Sequence, residues 1–472
     1  MQAYRHLFEL INDNFNYDDL AFLCQSLGLD IEELPGGSGK KRKAMELQEY
    51  MRRRGRTDEL LQEVHRERPR LDLRPFGGSA PKESETTLED PAQAGRAEIQ
   101  PIPAETPIKP TLSARQYENF DIHIGTRRED GRYPLTANSP AGETAGSIWQ
   151  MLPLEDEAFS DVVYYLRELM AKPEDAEQFG RQLHTFLFPS PILSLYERSL
   201  AKVLAEGKKG LRVRLHISLE SAPELSQIPW EYCASDRTYL AVDEATPIVR
   251  YIPTDRPPTP VTVPEMVRIL LVMASPDDQQ ELDVVAEEQR IRKALASLET
   301  RGQVKVEVLP HATRLKLFES FNTFDPHILH FVGHGELSIA GEGTLILENE
   351  MSQTDAIDAQ WMLVLLQNSN VKLAILNACE TAATEESKAF MGVAPRLVWA
   401  GIPAVIAMQV AIPDLIAVAF MQYLYGALAQ GKPLDMAMTA ARKGAYLIND
   451  KVFWAIPVLF MRAPDGVIWH PK

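Results

Sequence analysis

From about residue 265 onward the chain alternates between two hydrophobic patterns. Short runs rich in Val, Ile and Leu are separated by longer stretches with apolar residues every three or four positions. The runs read as buried strands and the longer stretches as helices that lie against them. The runs are Val267–Met273, Val304–Leu309, His327–Gly333, Val371–Ala378, Ile402–Val410 and Pro457–Met461. The spacing predicts helices near 279–299, 313–320, 356–368, 386–400, 413–429 and 433–447, and a small hairpin around Gly343–Glu348. Strands alternating with helices imply an α/β fold with a mainly parallel sheet covered on both faces.

Earlier in the chain the pattern is looser. Phe120–Ile124, Leu211–Leu219 and Pro247–Ile252 read as strands, with helices over 156–172, 176–187 and 191–206. Residues 113–256 therefore form an upstream half, and 265–465 a downstream half, divided by the breaker stretch Pro257–Pro264. Residues 69–112 contain eight prolines in a polar stretch with no hydrophobic period, which predicts an extended linker. Residues 1–68 read as a small all-α bundle. Leu20, Leu23, Cys24 and Leu27 share one helix face, Ala44, Leu47 and Met51 another, and Thr57-Asp58-Glu59 opens a third helix through Leu60, Leu61 and Val64.

A length of 472 residues admits about two to four domains. The net charge of −17 argues against a general nucleic-acid binder. Residues 1–70 carry 12 Lys/Arg and 13 Asp/Glu, so nearly all of the negative charge lies downstream. Within this front module the acids fall early (Asp13, Asp18, Asp19, Asp30) and the bases late (Lys40–Lys43, Arg52–Arg54, Arg56). One acidic and one basic face suit head-to-tail association with a like module; two merely solvated faces give the same pattern. Three cysteines make no disulfide framework, which points to a reducing cytoplasm. No apolar stretch is long enough to span a bilayer.

The candidate chemistry lies where two runs end. His334 follows the run His327–Gly333, and Cys379 follows Val371–Ala378, 45 residues later. Loops leaving the carboxyl ends of neighbouring parallel strands form the functional crevice of an open sheet. A thiol and an imidazole at two such ends suit a nucleophile and its base. Gly333 and Gly335 allow a sharp turn, and the backbone amides of Gly335 and Cys379 are candidate oxyanion donors. The competing readings are an inert buried thiol and a solvated imidazole. A metal site from His327, His330, His334 and Cys379 is disfavoured, because His327 and His330 point to opposite faces of a strand. No metal or cofactor is expected. Cys24 and Cys233 lack the histidine-and-glycine context and read as structural.

These residues also carry a resemblance. His330-Phe331-Val332-Gly333-His334-Gly335 and Leu376-Asn377-Ala378-Cys379-Glu380 resemble the two signature blocks of CHAT-domain cysteine peptidases, relatives of caspases and separase. Ile228-Pro229-Trp230-Glu231 and Ile248-Val249-Arg250-Tyr251 resemble that family's upstream half. Ala400 to Gln409 and Trp454 to Val458 resemble its later segments. Leu34-Pro35-Gly36-Gly37 and Arg53 to Leu60 resemble an effector-associated, death-like adaptor domain of bacterial conflict systems.

The resemblance implies a caspase-like fold with a catalytically silent upstream half and a His334/Cys379 dyad. It also implies recruitment through a homotypic adaptor contact, with homo-oligomerisation on activation. The implied substrate is a protein, such as a pore-forming or other toxic effector in antiphage defence. A non-enzymatic assembly platform is the alternative, and another cysteine hydrolase such as an esterase is a third. By the same resemblance the pocket for the residue before the cut falls beside Asn377, Gln409 and Asp414. The first two are neutral and none is an arginine, which predicts cleavage after a neutral or basic residue; Asp414 also reads as a helix cap after Pro413.

Overall fold

The computed structural model describes residues 117–470 except 168–170, 219–220, 254–260, 263–265, 280–281, 338–342, 368, 378–383, 411, 413 and 449–451, together with most of residues 7–68. The expected linker over 69–112 and the candidate nucleophile Cys379 lie outside the described residues. The chain divides into two compact units, 1–107 and 108–472.

In the first unit, helices α1 (Tyr17–Ser26), α2 (Lys40–Arg53) and α3 (Thr57–Glu67) pack pairwise. Their apolar faces meet in a small core of Leu20, Leu23, Cys24, Leu27, Ala44, Leu47, Met51, Leu60, Leu61 and Val64, all buried. These are the positions that the helical spacing singled out. Part of the charge split is consumed internally: Asp19 pairs with Arg68 at 2.7 Å, Arg56 pairs with Glu59 at 2.7 Å, and Lys43 is buried.

The second unit contains seventeen strands among its described residues. They are β1 (Tyr117–Ile124), β2 (Arg132–Ser139), β3 (Gly142–Glu143), β4 (Ile148–Met151), β5 (Gly210–Ile217), β6 (Ile248–Tyr251), β7 (Val261–Thr262), β8 (Val267–Met273), β9 (Val304–Leu309), β10 (Ile328–Val332), β11 (Gly335–Leu337), β12 (Gly343–Glu348), β13 (Thr354–Asp358), β14 (Leu373–Asn377), β15 (Ala404–Met408), β16 (Pro457–Met461) and β17 (Trp469–His470). The main sheet has twelve strands in the order β3-β2-β1-β5-β6-β16-β15-β14-β10-β8-β9, with β4 on β2.

It is built from two parallel sets. β1, β5, β6 and β16 run one way, and β15, β14, β10, β8 and β9 run the other. The sets join at the antiparallel pair β15–β16, where Met408 faces Pro457. The last long strand of the downstream sequence thus completes the upstream set, and one sheet runs unbroken through both halves. Two buried ion pairs hold strands of the upstream set. Arg212 on β5 meets Asp435 at 2.7 Å, and Arg250 on β6 meets Glu231 at 2.8 Å.

Helices α4 (Glu157–Arg167), α5 (Pro173–Leu187) and α6 (Ser190–Ala205) precede β5. Downstream follow α7 (Val284–Thr300), α8 (Arg314–Phe324), α9 (Ala359–Leu366), α10 (Thr384–Ala400), α11 (Asp414–Ala429) and α12 (Leu434–Ile448). Leu270, Val272, Leu329, Phe331, Ala374, Leu376, Val405 and Ala407 face α8, α9 and α10 in one continuous core. On the opposite face His330 bonds Tyr425 of α11, and Asn377 bonds Glu287 of α7.

Side-chain caps explain where three helices start relative to the expectation. Asp283 accepts from the Ala286 amide, so α7 begins at 284 after a turn instead of near 279. Thr313 caps α8, and Asp358 caps α9 after 354–358 has paired as β13. The segment β2–β4, an antiparallel extension of the upstream edge, has no counterpart in the sequence reading.

Candidate active site

The site starts from two five-residue strands whose every side chain is buried, Ile328–Val332 and Leu373–Asn377. Burial on both faces is what an unbroken apolar run in a central parallel strand produces. β10 and β14 pair in parallel, and their last residues, Val332 and Asn377, are register partners. His334 and Cys379 are each two residues beyond this pair in sequence.

His334 is 1% exposed, and its carbonyl accepts from the Ile346 amide at 3.1 Å. That bond fixes the pairing of the small sheet β11-β12-β13, in which Gly335 faces Leu345. In an antiparallel ladder, the residue next to a hydrogen-bonded position turns its N–H and C=O away from the partner strand. The Gly335 amide therefore points away from β12.

The glycines here answer to packing. A Cβ on Gly335 would lie 3.0 Å from the Phe390 ring and 3.1 Å from Ala389, both on α10. A Cβ on Gly333 would lie 2.7 Å from the Phe331 ring and 3.1 Å from the Ala274 carbonyl oxygen. The loop after β8 is held beside them. Glu348, 2% exposed, accepts from the Ser275 amide at 2.9 Å, and Gln279 donates to Glu336 at 2.6 Å.

Two of the residues expected to line a substrate pocket, Asn377 and Gln409, are held by buried carboxylates. Asn377 is 1% exposed; its Nδ2 donates to Glu287 Oε1 at 2.6 Å, and Glu287 Oε2 meets Arg290 at 2.6 Å. Asn377 Oδ1 is buried with no hydrogen-bond partner among the described residues. Gln409, one residue past β15 and partly exposed, donates from Nε2 to Glu231 Oε2 and to the Ala455 carbonyl, both at 3.2 Å. Asp414 is the first residue of α11.

The other histidines are committed elsewhere. His330 Nδ1 lies 3.0 Å from the Tyr425 hydroxyl, and burial pushes the imidazole down to about 3. His327 Nδ1 accepts from the Arg268 amide at 3.0 Å; burial first, then the Arg268 charge, push it down to about 4. Both are held neutral near pH 7. Cys24 and Cys233 are buried, and burial pushes the Cys233 thiol well above its ordinary value.

Sequence reasoning missed two residues of this edge, Glu231 and Glu287. Glu231 stood within Ile228-Pro229-Trp230-Glu231, a run quoted only for its resemblance. Glu287 sits in the predicted helix with nothing to mark it as the one acidic residue there that turns inward.

The second unit is thus an α/β fold with a large, mainly parallel sheet flanked by helices, preceded by a small helical unit. Residues 177–460 match the CHAT domain, and residues 5–69 match effector-associated domain 7. The first match covers more than half of the chain, and the chain belongs to the CHAT domain family. No curated protein matches it. Among solved structures, the separase of Saccharomyces cerevisiae, crystallised with securin, is 10% identical with a TM-score of 0.43, over 74% of this chain and 30% of that one. The Arg-specific cysteine proteinase gingipain R (RgpB) is 13% identical with a TM-score of 0.35, over 66% of this chain and 76% of that one. A complex of the Porphyromonas gingivalis RgpB pro- and mature domains gives 12% and 0.35, over 67% and 78%. The chain spans about 30% of the length of the separase it matches.

Proposed function

We propose that the chain is a caspase-like cysteine endopeptidase with Cys379 as nucleophile and His334 as its base. The observation that carries this reading is the register of Val332 with Asn377 inside the CHAT match, which brings the two strand ends side by side. In the proposed reaction the Cys379 thiolate adds to the scissile carbonyl carbon. The Gly335 and Cys379 amides stabilise the oxyanion, and His334 protonates the departing amine. Water, deprotonated by His334, then cleaves the thioester and releases the acid and the free thiol. Asn377, Gln409 and Asp414 are the proposed surroundings of the residue before the cut.

The effector-associated match supports recruitment of the enzyme, or of its copies, through residues 1–68. A cytoplasmic conflict-defence role with a toxic protein effector as substrate follows from the resemblance alone. Among the described residues no helix is long and apolar enough to cross a membrane. The same effector-associated match favours a second reading, a scaffold without catalysis. Labelling by a peptidyl electrophile separates the two: Cys379→Ala should abolish labelling and turnover, and His334→Ala should cost at least about a hundredfold in rate. Undiminished proteolysis by Cys379→Ala would refute the enzyme reading.

A further inference from the structure

We infer that Gln409 is a fixed hydrogen-bond acceptor for a substrate N–H, and that Glu231 of the upstream half is the positioning residue that fixes it. The inference rests on the peptidase reading for its setting, and on the hydrogen bonds of Gln409 and Glu231 for its geometry.

β15 ends at Met408, level with Pro457, the first residue of β16. β6 is parallel to β16, so the chain enters β6 at the sheet edge where β15 leaves. The segment leading into β6 therefore reaches the carboxyl edge of the downstream set, and Glu231 is the residue that does so. It is 3% exposed. Arg250 donates to both of its oxygens, from Nε at 3.1 Å and from the terminal nitrogen at 2.8 Å. Arg250 is itself tied to the Ser226 and Ile228 carbonyls at 2.7 and 2.9 Å. The carboxylate cannot turn without breaking a bidentate pair.

An amide side chain has two N–H donors and one carbonyl oxygen. Both Gln409 donors are taken, one by Glu231 Oε2 and one by the Ala455 carbonyl. The Gln409 backbone amide is also tied, to the Ile456 carbonyl at 3.1 Å. What remains is Oε1, on a partly exposed residue, with no donor among the described residues. Gln409 follows β15, the parallel neighbour of β14. The upstream half thus sets the polarity of a group one strand away from the proposed nucleophile strand. The ligand chemistry it suits is an N–H, from a substrate main chain or from an amide, guanidinium or ammonium side chain.

The test uses the full chain and needs no known substrate. A pooled peptide library is captured on the Cys379→Ala chain, with and without Gln409→Met or Glu231→Gln, and read by mass spectrometry. One net hydrogen bond corresponds to about a three- to tenfold loss of enrichment in each variant. In Glu231→Gln, Arg250 retains the remaining oxygen and the new amide offers Gln409 a donor, so Gln409 loses its hold. The Glu231→Gln/Gln409→Met double variant should lose no more than either single variant. N-methylated analogues of the enriched peptides, and analogues with apolar isosteres of their donor side chains, identify which N–H is bound. That analogue should bind both forms of the chain equally. A purely structural Glu231 would lower thermal stability and leave the ranking of peptides unchanged, which overturns the inference. So does capture indifferent to Gln409→Met, or no capture at all. Absence of turnover by the wild-type chain on the same library, beside Gln409-dependent capture, refutes the peptidase reading and leaves this inference standing.

Discussion

Gly343→Ala is the sharpest test of how the site edge is packed. Gly343 opens β12, and a Cβ there would lie 2.2 Å from the Ala389 carbonyl oxygen and 3.0 Å from Val393 Cγ2, both on α10. The obstacle is helix backbone, so no rotamer change relieves it. Restoring ordinary contact requires α10 to move from β12 by roughly 1 Å, and overpacking of this kind costs about 1–3 kcal/mol or more. The upper end, about 3 kcal/mol, applies because both facing surfaces are already close-packed.

Gly392→Ala on α10 itself is the control. Its Cβ would meet Gly343 only at 3.5 Å, and alanine gains about 0.5–1 kcal/mol of helix propensity over glycine. The two variants should therefore differ by about 3–4 kcal/mol in urea denaturation. α10 begins at Thr384, a few residues after Cys379. Gly343→Ala should therefore also slow labelling of Cys379 under conditions where the protein remains folded. A Gly343→Ala cost below about 1 kcal/mol, or an equal cost for Gly392→Ala, would refute the packing argument.

The remaining predictions concern other layers. His327 and His330 titrate at about 4 and about 3 in the folded chain but near 6.5 when unfolded, so between these values the unfolded state binds more protons. Stability should therefore fall as pH drops below 6.5, by up to about 4 kcal/mol from these two groups at pH 5; His330→Leu should reduce that slope, and an unchanged slope would count against it. Reversing Arg52–Arg54 to Glu should weaken self-association of the chain or its binding to a like module and make the remainder less salt-sensitive, as read by sedimentation across ionic strengths. A peptide profile should show cleavage after neutral or basic residues, with any basic preference lost in Asp414→Ala; a profile dominated by Asp or Glu at that position would overturn the pocket assignment.

Much of the downstream half was legible because its physics is local. Val267–Met273 and Pro457–Met461 are apolar runs buried almost throughout, Val304–Leu309 alternates Val with Lys and Glu at the sheet edge, and the strands match all three segments end for end. The boundary shifts at α7 and α9 come from Asp283 and Asp358, ordinary caps that lie a few residues inside the expected helices. β2 to β4 escaped notice because Arg132–Ser139 alternates buried and exposed positions without the dense Val/Ile/Leu content of the central strands. His334 and Cys379 stand out as candidates because each follows a run that had to be a strand. The carboxylates behind Asn377 and Gln409 do not, because Glu231 and Glu287 reach them from 178 and 90 residues away along the chain.

Strand direction is the feature that no local pattern encodes, and it changes what the upstream half is for. Because the two parallel sets run oppositely, their carboxyl edges lie at opposite ends of the sheet. At the upstream carboxyl edge Asp121 accepts from both Arg214 nitrogens, at 2.6 and 2.7 Å, and lies 2.6 Å from His216 Nε2. Burial acts to raise that carboxyl, but the bonds from His216 and Arg214 more than offset it and bring it to about 2. His123 stacks on His216 with centroids 3.9 Å apart, and Arg214 covers the Tyr251 ring. These side chains are engaged with one another. What the upstream half sends to the downstream carboxyl edge is instead the segment entering β6, and with it Glu231. Reversal at β15–β16 is the condition for that reach. In a sheet parallel throughout, the start of β6 would lie beside the start of β15, at the edge away from Gln409. The upstream half thus reaches the end of β15 through the antiparallel pair at which the two sets meet.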